Sequence, residues 1–167
     1  MDTEKALARV EELLKPFSKE ITKPASNRLD AVVAPENLVE AVTVLTKENW
    51  GYLLTITGLD VPAPAPEGNE QAGENHVELL YHFGEGAAVA TLRVSVPYSN
   101  LSVPSVCGVI PAATLYEREI MEMLGVVCEG TPNPEKLLLP DDWPAGVFPL
   151  RKEFTGFNKK PEEGEGV

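Results

Sequence analysis

The sequence has little cysteine or histidine, a shortage of positive charge, and no long hydrophobic run. Among 167 residues there are two cysteines and two histidines, and 14 Lys and Arg stand against 26 Asp and Glu, for a net charge of -12. Nucleic acids and anionic membrane surfaces are bound through clustered Lys and Arg, so this balance excludes both as direct partners. No apolar run approaches the ~20 residues that cross a bilayer. The acidic, amphipathic start is unlike a signal peptide, and we expect a cytoplasmic, soluble chain.

The few metal-ligand residues are badly placed for a metal site. Cys107 and Cys128 belong to no C-x-x-C pair, which argues against an iron–sulfur or zinc site and predicts two small buried side chains. His76 and His82 fall on one predicted strand, ~20 Å apart at about 3.3 Å per residue, too far to chelate one ion. Motifs typical of nucleotide binding, hydrolases and metalloproteases are also missing. The sequence therefore predicts no catalytic residue, cofactor or metal, and leaves the roles of these four residues open.

Hydrophobic periodicity predicts an α+β fold, in which an antiparallel or mixed sheet packs against helices. The predicted helices are one over 3–15 with Thr3 as N-cap, one from Pro35, and a last one from Pro111 to Gly125. The core face of the second helix is expected to be Leu38, Val42 and Leu45. The predicted strands are one over 29–33, one from Tyr52, and the two strands of a hairpin from His76 to Pro97. Residues 1–130 are expected to form this domain, with a mobile loop at 61–75 where proline, glycine and acidic residues dominate. Residues 131–167 are expected to form an irregular, proline-rich strap and an acidic tail.

The strap combines two properties that rarely occur together. Between Leu137 and Phe154 it carries three prolines and a glycine, which disfavour a helix or an inner strand. The same stretch carries eight large apolar side chains, too many for a disordered tail. Such a segment gains burial without regular hydrogen bonding, and its prolines lower the entropy cost of ordering it. We expect it to cover its own sheet, another subunit, or both.

The last helix carries the charged residues of greatest interest. At about 100° per residue its apolar stripe is bordered on opposite sides by Glu117 and Glu119, while Arg118 points away. The two carboxylates diverge and cannot act on one bond. The pattern alone favours an ordinary amphipathic helix with a solvated rim.

Two linked motifs resemble the C-subunit family of respiratory NADH:quinone oxidoreductase (complex I), which also supplies a small subunit to membrane-bound, energy-converting [NiFe] hydrogenases. The first is a Glu-Arg-Glu triplet on a helix, followed by an acidic residue, two apolar residues and a glycine; the second is a closing Pro-Leu-Arg-Lys-acid-Phe. They occupy Glu117, Arg118, Glu119, Glu122, Met123, Leu124, Gly125, Gly130 and Pro132, and then Pro149, Leu150, Arg151, Lys152, Glu153 and Phe154.

The resemblance implies a non-catalytic, peripheral-arm subunit without a cofactor of its own. Its partners would be a large [NiFe]-type or quinone-site catalytic subunit and iron–sulfur subunits, on the cytoplasmic face of the cell membrane, with the membrane reached only through partners. The subunit interface implied by the family motif is formed by Glu117, Arg118, Glu119, Trp143, Pro149, Leu150, Arg151, Lys152 and Phe154.

Departures from the complex I pattern favour the ferredoxin-linked hydrogenase branch. Complex I members usually have a histidine where Thr131 stands, an arginine pair in place of Glu135 and Lys136, and an aromatic residue at Leu124. Pro-Asp-Asp-Trp-Pro also resembles the hydrogenase branch. Electron donor, acceptor and pumped ion stay open.

Two other classes of function remain as alternatives. An enzyme with an acidic site has no histidine near its carboxylates in sequence, and a free-standing interaction domain would use its hairpin edge or strap on another partner.

Arg151 is expected to make a bidentate carboxylate contact or a backbone contact that fixes the strap to the last helix or to the large subunit, since charges among apolar anchors are usually paired. Glu117 and Glu119 are its candidate carboxylates within the chain, and a solvated arginine is the alternative.

Overall fold

The computed structural model describes residues 2–63 and 73–156. The helices there are α1 (Thr3–Leu14), α2 (Leu38–Lys47) and α3 (Thr114–Leu124). The strands are β1 (Ser18–Ala25), β2 (Arg28–Val33), β3 (Tyr52–Val61), β4 (His76–Glu85), β5 (Ala88–Pro97), β6 (Ser102–Pro104) and β7 (Val127–Glu129). No helix in these ranges has the length and apolar character needed to span a membrane.

The first helix begins one residue differently from the prediction. Asp2 and not Thr3 is the N-cap, and its carboxylate accepts a hydrogen bond from the Glu4 N–H at 3.3 Å. Aspartate satisfies a free N–H of the first turn and also places negative charge at the positive end of the helix dipole. The helix ends at Leu14, just before Pro16.

The second helix, in contrast, starts later than predicted. Pro35 begins a single 3-10 turn, and the α-helix itself begins at Leu38. The predicted core positions Leu38, Val42 and Leu45 are fully buried. The periodicity therefore identified the correct face, although the proline opens a tighter turn than an α-helix.

Five strands form a mixed sheet in the order β1-β2-β5-β4-β3. Within this sheet β2 and β5 run parallel, and the other neighbours are antiparallel. The edge strand β1 was not predicted, because its sequence SKEITKPA is largely exposed and shows no apolar alternation. A second sheet consists of the parallel pair β6 and β7.

One face of the sheet is apolar and is covered by helices. Ala31, Leu92, Tyr81 and Ile56 lie side by side across four strands, and all four are buried. Helix α1 packs on β2 and β5, and α3 packs on β3. The predicted α+β class, with a mixed sheet packed against helices, is confirmed.

Close approach of α3 to β3 depends on a missing side chain. A Cβ atom at Gly58 would lie 2.2 Å from the Leu124 Cδ1 atom. The glycine lets the helix settle directly on the strand, as expected where two elements approach closely. This contact fixes the position of α3, on which the strap depends.

The strap is irregular, as predicted. From residue 131 to residue 156, the end of its described part, it forms turns and bends without a helix or strand; "strap" below means these residues. The acidic tail beyond 156 lies outside the described residues, as do positions 64–72 of the loop predicted to be mobile. At the base of that loop the Ala63 N–H donates to the Asn75 side-chain oxygen at 2.8 Å.

Candidate subunit interface

Arg118 holds the start of the strap on α3. Its Nε donates to the Glu135 carbonyl oxygen at 2.8 Å and a terminal nitrogen donates to that of Lys136 at 2.6 Å. The planar guanidinium suits two neighbouring acceptors, which a lysine cannot match. Its direction away from the apolar stripe, predicted from the sequence, is what brings it to the strap.

Glu122 holds the next three residues of the strap, one turn further along α3. Its carboxylate accepts hydrogen bonds from the backbone N–H groups of Leu137 at 3.2 Å, Leu138 at 2.8 Å and Leu139 at 2.8 Å. Bonds to an ionised acceptor are stronger than neutral ones. Glu122 was recognised in the family motif but not predicted as a site residue, because its partners are backbone groups that leave no pattern in the sequence.

The middle of the strap is closed by its own side chains. Lys136 Nζ donates to the carbonyl oxygens of Pro140 and Asp141 at 3.1 Å and of Trp143 at 3.3 Å. Trp143 Nε1 donates to the carbonyl oxygen of Val147 at 2.8 Å. A segment without regular secondary structure thus has an internal framework that defines its shape.

Arg151 fixes the end of the strap to the C-terminus of α3. Its Nε donates to the Leu124 carbonyl oxygen at 2.9 Å, and its side chain is only 14% exposed. The guanidinium carbon lies 4.3 Å from the ring centroid of Phe148 and 4.8 Å from that of Tyr98, a cation–π arrangement on each ring. The predicted backbone contact to the last helix is confirmed.

The prediction of Glu117 or Glu119 as the carboxylate partner of Arg151 was wrong. Glu153, its neighbour in the strap, is the carboxylate in reach, at 3.6 Å, and it is largely exposed. The α3 C-terminus offers a better partner, since its last carbonyl groups accept no hydrogen bond from within the helix and carry partial negative charge.

Gly125, the predicted helix cap, makes room for this contact. It has a φ of 73°, the left-handed conformation that ends helices and favours glycine. A Cβ atom there would lie 2.4 Å from the ring of Phe148. The ring that supports Arg151 therefore packs directly on the end of α3.

A carboxylate on β3 ties the last strap residues to the sheet. Asp60 accepts from the Lys152 N–H and from the Tyr98 hydroxyl, each at 2.6 Å. Burial, followed by the bond to Asp60, raises the pKa of Tyr98 to about 12. Neither Asp60 nor Tyr98 was predicted, because they lie far from the strap in sequence and match no motif.

Glu117 does not belong on the interface. It is 1% exposed, so both the solvated rim and the assignment to a partner contact are wrong for this residue. Its carboxylate accepts from the Val106 N–H and the Ser105 hydroxyl, each at 2.7 Å, and from the Cys107 thiol at 3.2 Å. These bonds compensate its burial, and they fix the 105–107 segment against α3.

The other predicted interface residues divide by exposure. Leu150 is 56% exposed; Glu119 and Lys152 are also exposed, and Arg118, Trp143, Pro149, Arg151 and Phe154 are half-buried. Trp143 and Phe154 pack together with ring centroids 6.2 Å apart. Leu138, another strap residue, is 60% exposed and was not singled out from the sequence. The strap thus turns apolar side chains outward, although Arg118, Glu122 and Arg151 hold its backbone.

The cysteines and histidines take no part in this surface. Cys107 and Cys128 are buried and free, as predicted, and burial raises the pKa of both thiols. Desolvation by burial lowers the pKa of His82, whose Nδ1 lies 3.1 Å from the Thr91 hydroxyl. In the described ranges, no three His, Cys, Asp or Glu side chains gather in a way that fits a metal ion.

Relatives of this chain occur in two kinds of complex. It is 30% identical over 138 residues to formate hydrogenlyase subunit 5 of Escherichia coli, covering 81% of this chain and 23% of that protein. It is 38% identical over 96 residues to the membrane-bound hydrogenase subunit beta of Pyrococcus furiosus, covering 58% and 53%. It is 31% identical over 131 residues to the C subunit of the NADH-quinone oxidoreductase of Roseiflexus sp., covering 75% and 68%. The chain thus spans about a quarter and about half of the two hydrogenase relatives.

Structural and family comparisons agree with these relatives. A chain of the membrane-bound sulfane sulfur reductase, an archaeal respiratory membrane complex, matches with a TM-score of 0.65 and 25% identity, covering 90% of this chain and 86% of that one. The family model described as respiratory-chain NADH dehydrogenase, 30 Kd subunit, matches residues 31–160. The chain therefore belongs to the 30 Kd subunit family of respiratory-chain NADH dehydrogenase.

Proposed function

We propose that this chain is a non-catalytic peripheral-arm subunit of a membrane-bound, ion-translocating, ferredoxin-linked [NiFe] hydrogenase complex. In this role it stabilises the large catalytic subunit on the cytoplasmic face of the membrane and holds no cofactor itself. The observation that carries the proposal is the strap, whose backbone is fixed by Arg118, Glu122 and Arg151 while Leu138 and Leu150 stay 60% and 56% exposed.

A preorganised apolar surface of this kind favours binding to another protein. Side chains exposed on a rigid backbone gain burial in a complex without a further ordering cost, which is the main loss when flexible segments bind. Trp143 and Phe154 add aromatic area of the type enriched at interfaces. The interface proposed here retains eight of the residues expected from the sequence, without Glu117: Arg118, Glu119, Trp143, Pro149, Leu150, Arg151, Lys152 and Phe154.

The relatives support a partner within a hydrogenase-type complex. In formate hydrogenlyase subunit 5 the matched part makes up 23% of a longer chain, so there this domain is covalently joined to further polypeptide. A domain that is joined to its neighbour in one protein is expected to bind an equivalent neighbour when it is separate. The membrane-bound hydrogenase relative supports the same type of assembly.

The corresponding small subunit of an NADH:quinone oxidoreductase (complex I) is the second candidate. It is favoured by the Roseiflexus relative, of which this chain covers 68%. In that case the partner would be the quinone-site subunit, and the strap would play the same role.

Native purification distinguishes the two candidates. The full chain, tagged and expressed in its own cells, is isolated from mildly solubilised membranes, and co-purifying subunits are identified by mass spectrometry. Recovery of a [NiFe]-type large subunit and iron–sulfur subunits is the expected result. Recovery of a quinone-site subunit with NADH-oxidising subunits would favour complex I, and isolation of the chain alone would contradict both.

A further inference from the structure

Strand β3 is an edge of the five-stranded sheet, and the hairpin geometry shows which of its residues face outward. The two-residue turn after Glu85 makes Glu85 and Ala88 a hydrogen-bonded pair. Alternation along β4 then turns the backbone groups of Leu80 and His82 away from β5 and toward β3. These two residues lie opposite Thr57 and Thr55.

The outward side of β3 therefore carries the backbone N–H and C=O groups of Ile56 and Gly58. Just before this stretch, at the register shift between Leu53 and Thr55, the Leu54 carbonyl oxygen accepts from the Tyr116 hydroxyl at 3.0 Å. In the described part of the chain no hydrogen bond is made to the outward backbone groups of Ile56 or Gly58. A short length of open edge thus remains between the Tyr116 bond and the Asp60–Lys152 bond.

The two edges of the sheet differ in their protection. The outer strand β1 carries Lys19, Lys23 and Pro24, the residue types that prevent another strand from adding to an exposed edge. Strand β3, YLLTITGLDV, carries neither lysine nor proline, and its register is regular from Thr55 to Val61. Of these two edges, β3 is the one with the chemistry to accept a further strand.

A groove runs along this open edge between β3 and α3. Ile120, Met123 and Leu150 supply apolar walls next to Gly58, and Glu119 stands at the rim. Glu119 is exposed and, in the described ranges, forms no ion pair or hydrogen bond. The groove is thus apolar along its walls and negatively charged at its rim.

We propose that the open edge of β3 receives an extended segment of the partner subunit. The segment pairs through its backbone with Ile56 and Gly58, places an apolar side chain between Met123 and Leu150, and brings a Lys or Arg to Glu119. Backbone pairing supplies affinity and the alternate side chains supply specificity, as in other cases of strand addition. The inference rests on the proposed function, since Leu150 links this groove to the strap surface.

Charge identifies the occupant as a different chain and not a second copy of this one. If two copies of this chain paired symmetrically along β3, each copy would place its own groove, with Glu119 at the rim, in the shared interface. Each copy also carries a net charge of -12. Like charges brought together at an interface oppose association, so a basic segment of another subunit fits better.

Hydrogen exchange of the full chain, free and in the purified complex, tests the backbone pairing. In the complex the amides of Ile56 and Gly58 are expected to exchange at least about tenfold more slowly than in the free chain, because they become hydrogen-bonded. Amides of β1, the edge strand with lysine and proline, serve as the internal control and are expected to exchange at the same rate in both states. Equal rates at Ile56 and Gly58 in both states would overturn the inference.

A photo-cross-linking residue at Leu115 identifies the occupant. Leu115 is 52% exposed and lies one turn before Glu119 on the same side of α3. The expected product joins this chain to a peptide of the partner subunit that contains a Lys or Arg. A cross-link between two copies of this chain would overturn the inference in favour of self-association.

Charge reversal tests the electrostatic part with a matched control. Glu119→Lys is expected to lower the recovery of the partner subunit about tenfold, whereas Glu20→Lys, the same change on exposed β1, leaves it unchanged. Wild-type recovery with Glu119→Lys would contradict a basic partner residue. Failure of the wild-type chain to recover any partner would refute the proposed function itself, whereas full recovery with an unprotected β3 edge would refute only this inference.

Discussion

Arg151 donates a hydrogen bond from Nε to the backbone carbonyl oxygen of Leu124 at 2.9 Å, and this bond joins the end of the strap to the end of α3. The guanidinium lies on Phe148 at 4.3 Å, so one side chain both caps the helix and packs against an aromatic ring. The contact lies entirely within the chain, which means that the strap has its shape before any partner binds.

Replacing Arg151 should release the end of the strap. Arg151→Lys keeps the charge but loses the planar stacking and the geometry of the Nε bond, and Arg151→Ala loses all of these. We expect stability losses of about 1 kcal/mol for Lys and about 2 kcal/mol for Ala. Limited proteolysis of the strap and recovery of partner subunits should both follow the order wild type, Lys, Ala. Equal recovery for all three would show that Arg151 has no role in assembly.

Removal of the Glu122 carboxylate should free the centre of the strap. Glu122→Ala leaves the N–H groups of Leu137, Leu138 and Leu139 without their acceptor, at a cost of about 2 kcal/mol. Hydrogen exchange of these amides in the isolated chain is the measurement, and the variant should lose most of their protection. Glu119→Ala is the matched control on the same helix, since Glu119 is exposed and forms no hydrogen bond within the described residues. Protection that survives in Glu122→Ala would mean that other contacts hold the strap.

Glu117 should matter for stability rather than for partner contact. Glu117→Ala leaves the Val106 N–H and the Ser105 hydroxyl without their buried acceptor and opens a gap at a site that is 1% exposed. We expect a loss of about 2–4 kcal/mol in the free energy of unfolding, measured by urea denaturation of the isolated chain. Ser105→Ala removes one donor to Glu117 and the acceptor of the Cys107 N–H, leaves the buried carboxylate in place, and should cost about 1 kcal/mol. An equal, small loss for both variants would contradict the structural role of Glu117.

Strong alkali should loosen the strap through Tyr98. The folded-state pKa of Tyr98 is raised from 10.0 to about 12, chiefly by burial, so the neutral phenol is the form that the fold favours. The stability that the neutral Tyr98 hydroxyl contributes to the fold is fully present below pH 10 and is lost as pH rises toward 12. Tyr98→Phe lacks the hydroxyl that donates to Asp60, so strap proteolysis in this variant should depend less on pH over that interval. Identical pH profiles for the two proteins would refute the assignment.

Several elements were predictable because their signal is local. Pro140, Pro144 and Pro149 exclude regular structure from the strap, and Gly125 marks the end of α3 by its conformational freedom. The hairpin of β4 and β5 follows from alternation and a glycine turn. The partner of Arg151 was predictable only as a type of contact, because a backbone carbonyl at a helix end is available in any sequence.

Other features could not be predicted because they depend on tertiary contacts. Strand β1 has no apolar alternation, and it exists because β2 offers it a pairing edge. Glu117 looks like a solvated residue until the 105–107 segment supplies its donors. Asp60 holds the strap across 92 residues of sequence separation, which no local pattern encodes. The candidate interface thus stays a prediction along the strap, and it omitted Glu122 and Asp60, the residues of α3 and β3 that support the strap.

Native purification of two tagged forms of the chain, full-length and truncated after Gly130, measures directly whether the strap binds the large subunit. Both contain the residues of the five-stranded sheet and of α1, α2 and α3, while only the full-length form contains the strap. Mass spectrometry should recover the large catalytic subunit with the full-length chain, and the truncated chain should remain folded by circular dichroism but recover at least about tenfold less of that subunit. Equal recovery of the large subunit with a folded, truncated chain would contradict the central claim that the strap binds the partner.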